Sequence, residues 1–145
     1  MTPDVNIVLA ASRSDHPQHA IALQWLDAAV AESAAGRPFT LIPMVLTSYL
    51  RLTTNSRIFL TPTPIENAIA FADALIAAPG ARTVTLGGEW SVLRQLCLGN
   101  SLRANELPDA WLAAAVIHLG EHLVTFDTDF RKLLRRNQLT VLKPA

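Results

Sequence analysis

Three aspartates stand where a short apolar stretch ends or begins: Asp4, Asp109 and Asp127. Asp4 follows the first residues able to enter a sheet, and Asp127 closes the apolar run His122-Leu123-Val124-Thr125-Phe126. Asp109 lies in the first turn of a helix that continues as Ala110-Trp111-Leu112-Ala113-Ala114-Ala115-Val116. Each acid alone has an ordinary explanation, as a solvated terminal residue, a partner of the helix dipole or a turn cap. In an open parallel sheet, however, ligands gather at the carboxyl ends of the strands, so the three can converge on one edge. Converged carboxylates repel. Without a counter-charge some stay protonated, whereas a hard divalent cation such as Mg²⁺ or Mn²⁺ takes oxygen ligands and removes the conflict. The chemistry this points to is metal-assisted attack of water on a phosphodiester, in which the cation lowers the pKa of its water and offsets developing charge.

Other reactive side chains have simpler readings. His118 and His122 are spaced for a zinc pair, but Gly120 between them interrupts the helix that would align them, which leaves a solvated or core role. His16 and His19 lack a third ligand nearby and read as surface residues. Cys97, the single cysteine, has no histidine partner and reads as a small buried hydrophobe. One cysteine leaves no disulfide framework, which agrees with a reducing, cytoplasmic location. Gly87-Gly88 lacks the lysine and spacing of a nucleotide-binding loop. Trp25, Trp90 and Trp111 each fall on an apolar helix stripe, so core or dimer packing is expected rather than base stacking. Glu66 is accounted for by a capping box with Thr63.

The elements that must carry these residues alternate between helical periodicity and short apolar runs, the pattern of an α/β chain whose parallel strands are covered on both faces. At 145 residues, a single domain over 1–145 is expected; with 50% hydrophobic and 17% charged residues, disorder is excluded and a substantial core is available. Twelve basic residues balance twelve acidic ones, so any contact with phosphates must be local. No apolar run is long enough to span a bilayer, and Met1-Thr2-Pro3-Asp4 lacks the basic start of a signal peptide. Residues 5–11 fit either strand or helix. Helices are expected from Asp15 and Pro17 to Gly36, from Pro43 to about Asn55, over 65–76, over 89–98, and over 105–119 up to Gly120. Strands are expected at 39–42, 83–86, 122–126 and 140–142, with a short helix over 130–136.

The segments Asp4-Val5-Asn6, Pro108-Asp109-Ala110-Trp111-Leu112-Ala113-Ala114 and Thr125-Phe126-Asp127-Thr128-Asp129-Phe130, in this order and spacing, resemble a PIN domain. The run Leu50-Arg51-Leu52-Thr53-Thr54-Asn55-Ser56-Arg57-Ile58-Phe59 and the segment 59–81 further resemble the VapC toxins of bacterial toxin-antitoxin pairs. The similarity spans nearly the whole chain. It implies a three-layer α/β/α PIN-like fold with a short, mostly parallel central sheet, and Mg²⁺- or Mn²⁺-dependent endoribonuclease activity on RNA, often transfer RNA. It also implies homodimers and inhibition by a small cognate VapB-like antitoxin.

By this resemblance Asp4, Asp109 and Asp127 match the family's metal-binding aspartates. The family's usual glutamate, on the helix after the second strand and followed by two apolar residues and an arginine, is replaced by Ser48 in Ser48-Tyr49-Leu50-Arg51. Serine supplies no full negative charge, so metal affinity is expected to drop unless another acid fills in. Glu106, one turn before Asp109, is the nearest, although a helix-start role accounts for it more simply. Asp127 is preferred to Asp129 as a ligand, since Asp129 is placed as an N-cap; both could contact one metal. Asn6 and Thr125 either orient ligands through hydrogen bonds or are simply a turn residue and a β-branched strand residue. Arg51, Arg57, Arg131, Lys132, Arg135 and Arg136 either meet RNA phosphates or an acidic antitoxin tail, or form solvated faces.

Two competing readings remain. Asp127-x-Asp129 after a strand also suits a haloacid-dehalogenase-like phosphohydrolase with Asp127 as nucleophile, but Arg131 stands where that pattern wants threonine or valine. A PIN-like module that lost turnover with Ser48 and only binds RNA or an antitoxin is the other.

Overall fold

The computed structural model describes residues 1–143. Thr2–Pro3 (β1) pairs in parallel with Leu123–Thr125 (β4), in the register Thr2 to Leu123, and β4 pairs in parallel with Leu139–Val141 (β5). Phe39–Leu41 (β2) pairs in parallel with Ala81–Thr83 (β3). The Thr40 N–H donates to the Met1 carbonyl at 3.0 Å, which brings β2 alongside β1, so the strands follow one another as β3-β2-β1-β4-β5. Every residue of β1, β2 and β4 is buried. Because successive side chains point to opposite faces, such strands must be covered on both, and the sheet is the middle of three layers.

The covering helices are Val5–Ser12 (α1), His19–Ala34 (α2), Pro43–Thr53 (α3), Ile65–Ile76 (α4), Trp90–Asn100 (α5) and Leu107–Leu119 (α6). α1 packs on α2 and α3, and α5 packs on α6. Ile7, Val8, Phe39, Ile42, Tyr49, Val116, Leu123 and Phe130 form the centre of the core. Burying such a side chain contributes about 1.5–3 kcal/mol. Ala110 and the run from Leu112 to Val116 are buried on all sides of α6, which explains why that helix is alanine-rich. Gly120 ends it at φ 65, a left-handed conformation that costs glycine little.

Several elements differ from the reading of local pattern. Residues 5–12 are helix, because Asp4 is extended and its carboxylate caps Val5. α2 starts at His19 rather than near Asp15, whose carboxylate instead takes both Nε and Nη2 of Arg13. The capping box of Thr63 and Glu66 does not form: Pro64 occupies the N-cap, while Thr63 Oγ1 accepts from Arg13 Nη1 at 2.9 Å. The buried Arg13 also donates to the Thr61 carbonyl and stacks 3.7 Å over Phe59, tying the 54–64 connection to the end of α1. The third strand lies at Ala81–Thr83, two residues early. In place of one helix over 130–136 there are two 3₁₀ turns, Thr128–Lys132 and Arg136–Gln138, and α6 is preceded by a third at Ala104–Glu106. Cys97 is half-buried rather than buried, and Trp90 and Trp111 are 65% and 41% exposed, so neither ring is core.

Candidate metal centre

β1 delivers Asp4 to the carboxyl edge of the sheet, and α1 begins immediately after it. The Asp4 carboxylate is 5% exposed; Oδ1 accepts from the Val5 N–H at 2.6 Å and Oδ2 accepts from the Thr125 hydroxyl at 2.7 Å. Thr125, the last residue of the neighbouring β4, is the hub of the edge. Its Oγ1 accepts from Asn6 Nδ2 at 3.1 Å and from the Asp127 N–H at 3.0 Å. Asn6 Oδ1 in turn accepts from the Phe126 N–H at 3.3 Å. Asp4 and Asn6 thus form one hydrogen-bonded unit with Thr125 and the backbone at Asp127, although Asp4 and Thr125 are 121 positions apart in the chain.

Asp109 enters from the first turn of α6 and lines a cleft with Asp4, Met44, Val45, Ser48, Trp111 and others. It also lines an adjoining cleft with Asn105, Glu106, Asp129 and Lys132. The carboxylates act on one another electrically. Burial pushes the Asp4 carboxyl up to about 6, against the pull of its bonds from Thr125 and Val5, and Asp109 and Asp127 push it further the same way. Asp109 is raised by burial and by Asp127 and Asp129. Among the described residues none of Asp4, Asp109, Asp127 and Asp129 forms an ion pair.

The other expected residues fall as follows. Ser48, on α3, faces the Asp4–Asp109 cleft. Glu106 lies on the second cleft and accepts from the Arg103 N–H at 3.2 Å, so it also holds its own turn. Asp127, not Asp129, caps the following turn, accepting from the Asp129 N–H at 2.8 Å; Asp129 is exposed on the second cleft. Arg131, Arg135 and Arg136 share a separate groove with Leu134, Leu139 and Val141. Arg51 and Arg57 are exposed and line neither acidic cleft. His122 is held by the Asn137 carbonyl and Thr140. Trp111, which the apolar pattern gives to core or dimer packing, lines this cleft and is not core; its i, i+3 relation to Pro108, beside Asp109, is the local signal that puts it there.

The donors fit a hard divalent cation. They are all carboxylate or hydroxyl oxygens, and the acids carry an unbalanced negative charge. Among the described residues no three His, Cys, Asp or Glu side chains form a ready-made cage. Mg²⁺ does not need one, since it keeps several waters and is held through one or two carboxylates together with substrate phosphate.

Comparison with known proteins bears on this edge. The sequence profile of the PIN domain matches residues 1–135. Ribonuclease VapC25 of Mycobacterium tuberculosis is 40% identical over 130 residues, 89% of this chain and 89% of that protein. Ribonuclease VapC31 of the same species is 40% identical over 132 residues, with the same coverage, and Ribonuclease VapC43 is 32% identical over 133 residues, 91% of this chain and 88% of that protein. Among solved structures, VapBC2 from Rickettsia felis bound to a DNA fragment from their promoter superposes with a TM-score of 0.62 at 15% identity, covering 97% of this chain and 96% of that one. That last likeness is one of fold.

Proposed function

This chain belongs to the PIN-domain family, among its VapC ribonucleases, and from that premise we propose that it is a divalent-metal-dependent endoribonuclease, the toxin of a toxin-antitoxin pair. The family assignment displaces the phosphohydrolase reading. The observation that carries the proposal is the pair Asp4 and Asp109 on one cleft wall, raised by burial and by their neighbours and without a cationic partner among the described residues.

Asp4 and Asp109 would hold Mg²⁺ or Mn²⁺, with Asp127 as the third acid. When bound, the ion supplies an activated water and charge stabilisation at the phosphodiester. The chain's own contribution is positional. Thr125 fixes Oδ2 of Asp4 and the backbone that presents Asp127, so the acid edge is ordered before RNA arrives. Asp109 reaches the edge from a helix whose buried residues, Ala110 and Leu112 to Val116, anchor it to the core. Arg131 and Arg135 lie exposed beyond this edge and meet RNA phosphates or an acidic segment of a VapB-like antitoxin; Arg51 and Arg57 act similarly. The active form is a homodimer of one PIN domain spanning 1–145.

The test is cleavage of labelled RNA with Mg²⁺ or Mn²⁺, with chelator as control. Cutting that requires the metal and disappears in Asp109→Asn is expected. Equal cutting by wild type and Asp109→Asn would overturn the assignment. The Ser48 departure from the family pattern favours one second reading, a binding-only module, which tight RNA binding without metal-dependent cutting would establish instead.

A further inference from the structure

Glu89 is a buried carboxylate that the proposed reaction does not use. It is 7% exposed, and both its oxygens are committed: Oε1 accepts from the indole Nε1 of Trp111 at 3.1 Å and Oε2 from the Gly87 N–H at 2.6 Å. No ion pair holds it among the described residues; against burial, the hydrogen bonds from Gly87 and Trp111 and the nearby His118 keep its carboxyl below the usual value, so the charge is held by the loop and by this one half-exposed indole ring. The loop is built to allow it. At Gly88 a Cβ would stand 2.5 Å from the exposed His118 ring, so the loop passes close over α6 and a side chain there would have to displace that imidazole.

The ring so held is a wall of the cleft that contains Asp4 and Asp109. It also borders an apolar shelf with Trp90, Leu93, Leu98 and Leu107. With its N–H occupied, the indole has no donor left for a base edge and presents only its face and rim. Taking the ribonuclease reading as the basis, we propose that Trp111 is a stacking platform for a nucleobase next to the phosphate held at the acidic cleft, with Glu89 as its positioning residue. A face without a free donor accepts any base, so the platform sets affinity and not sequence. Proximity to the acids argues for RNA over a second copy of the chain, and orientation by a fixed hydrogen bond lowers the ordering cost of stacking.

The test compares full-length wild type with Trp111→Phe, Trp111→Ala and Glu89→Gln. Binding of a short labelled single-stranded RNA is measured with Ca²⁺ in place of Mg²⁺, the RNA checked as intact, alongside cleavage kinetics and sedimentation mass. Trp111→Ala is expected to weaken binding by about five- to a hundred-fold, the range for loss of one base–aromatic stack. KM should rise while kcat stays within about two-fold, the mark of lost uniform binding. Trp111→Phe should keep most affinity. Glu89→Gln, which has one acceptor for two N–H groups, should fall between. In RNAs carrying one abasic site at successive positions, a single position should erase the difference between wild type and Trp111→Ala, which a merely structural role would not produce. Unchanged binding in Trp111→Ala, no such abasic position, or a loss that accompanies a change in sedimentation mass would each overturn the platform. Wild type that binds without cutting would sink the ribonuclease reading while the abasic comparison still decides the platform.

Discussion

Replacing Asp4 by asparagine should stabilise the metal-free protein while destroying its function. The Asp4 carboxyl moves from 3.8 to about 6 on folding; at 1.36 kcal/mol per unit of pKa, the ionised form costs the folded state about 3 kcal/mol at neutral pH. The folded state holds this proton more tightly than the unfolded chain. Stability is therefore unaffected by Asp4 below its unfolded value, falls as pH rises through about 6, and stays lower above it. Asparagine keeps the bond from the Val5 N–H but turns an amide donor toward Thr125 Oγ1, which already accepts from Asn6 and Asp127; losing that bond costs about 1 kcal/mol. The net gain is about 2 kcal/mol, or about 5 °C in Tm for a chain of this size. Thermal unfolding followed by circular dichroism in chelator, at about pH 4 and about pH 8, tests it. Asp4→Asn should melt above wild type at the higher pH and lose that advantage at the lower. Adding Mn²⁺ should reverse the order, since saturation near a hundred times Kd returns about 2.7 kcal/mol to wild type alone. A variant that melts below wild type at both pH values, or an advantage independent of pH, would refute the reasoning.

Thr125→Val removes the one hydroxyl that serves Asp4, Asn6 and Asp127; unfolding should show a loss of about 1–3 kcal/mol, and RNA cutting should fall about ten- to a hundred-fold, whereas Thr125→Ser should retain most of both. Ser48→Glu adds a carboxylate to the cleft shared by Asp4 and Asp109; calorimetric titration should show Mn²⁺ affinity rising about ten-fold, and Tm in chelator should fall as a further negative charge joins the pocket. An unchanged affinity would place residue 48 outside the coordination sphere.

Elements whose signals are local were legible in the sequence. The apolar run into Asp127, the stop at Gly120 and the proline start at Pro43 all stand where pattern put them. What failed was decided by distant partners. Period cannot separate strand from helix over 5–11, and the outcome rests on β1 ending at Pro3 so that Asp4 caps a helix. The Thr63–Glu66 box was lost because Arg13, 50 positions earlier, takes the Thr63 oxygen. The acids could be found from their places at strand ends and a helix start, but the choice of Asp127 over Asp129 as the cap depends on one side-chain bond. An apolar stripe shows that a helix face is hydrophobic without showing what covers it, which is why the stripe admits core or dimer packing for Trp90 and Trp111 while the single chain leaves both exposed and out of the core.

The most direct test is the position of a bound ion. Anomalous scattering from crystals soaked in Mn²⁺ should place a peak within coordination distance of carboxylate oxygens of both Asp4 and Asp109, and crystals of Asp109→Asn should lose it. A peak elsewhere on the surface, or the same peak in the variant, would contradict an ion held by these two aspartates.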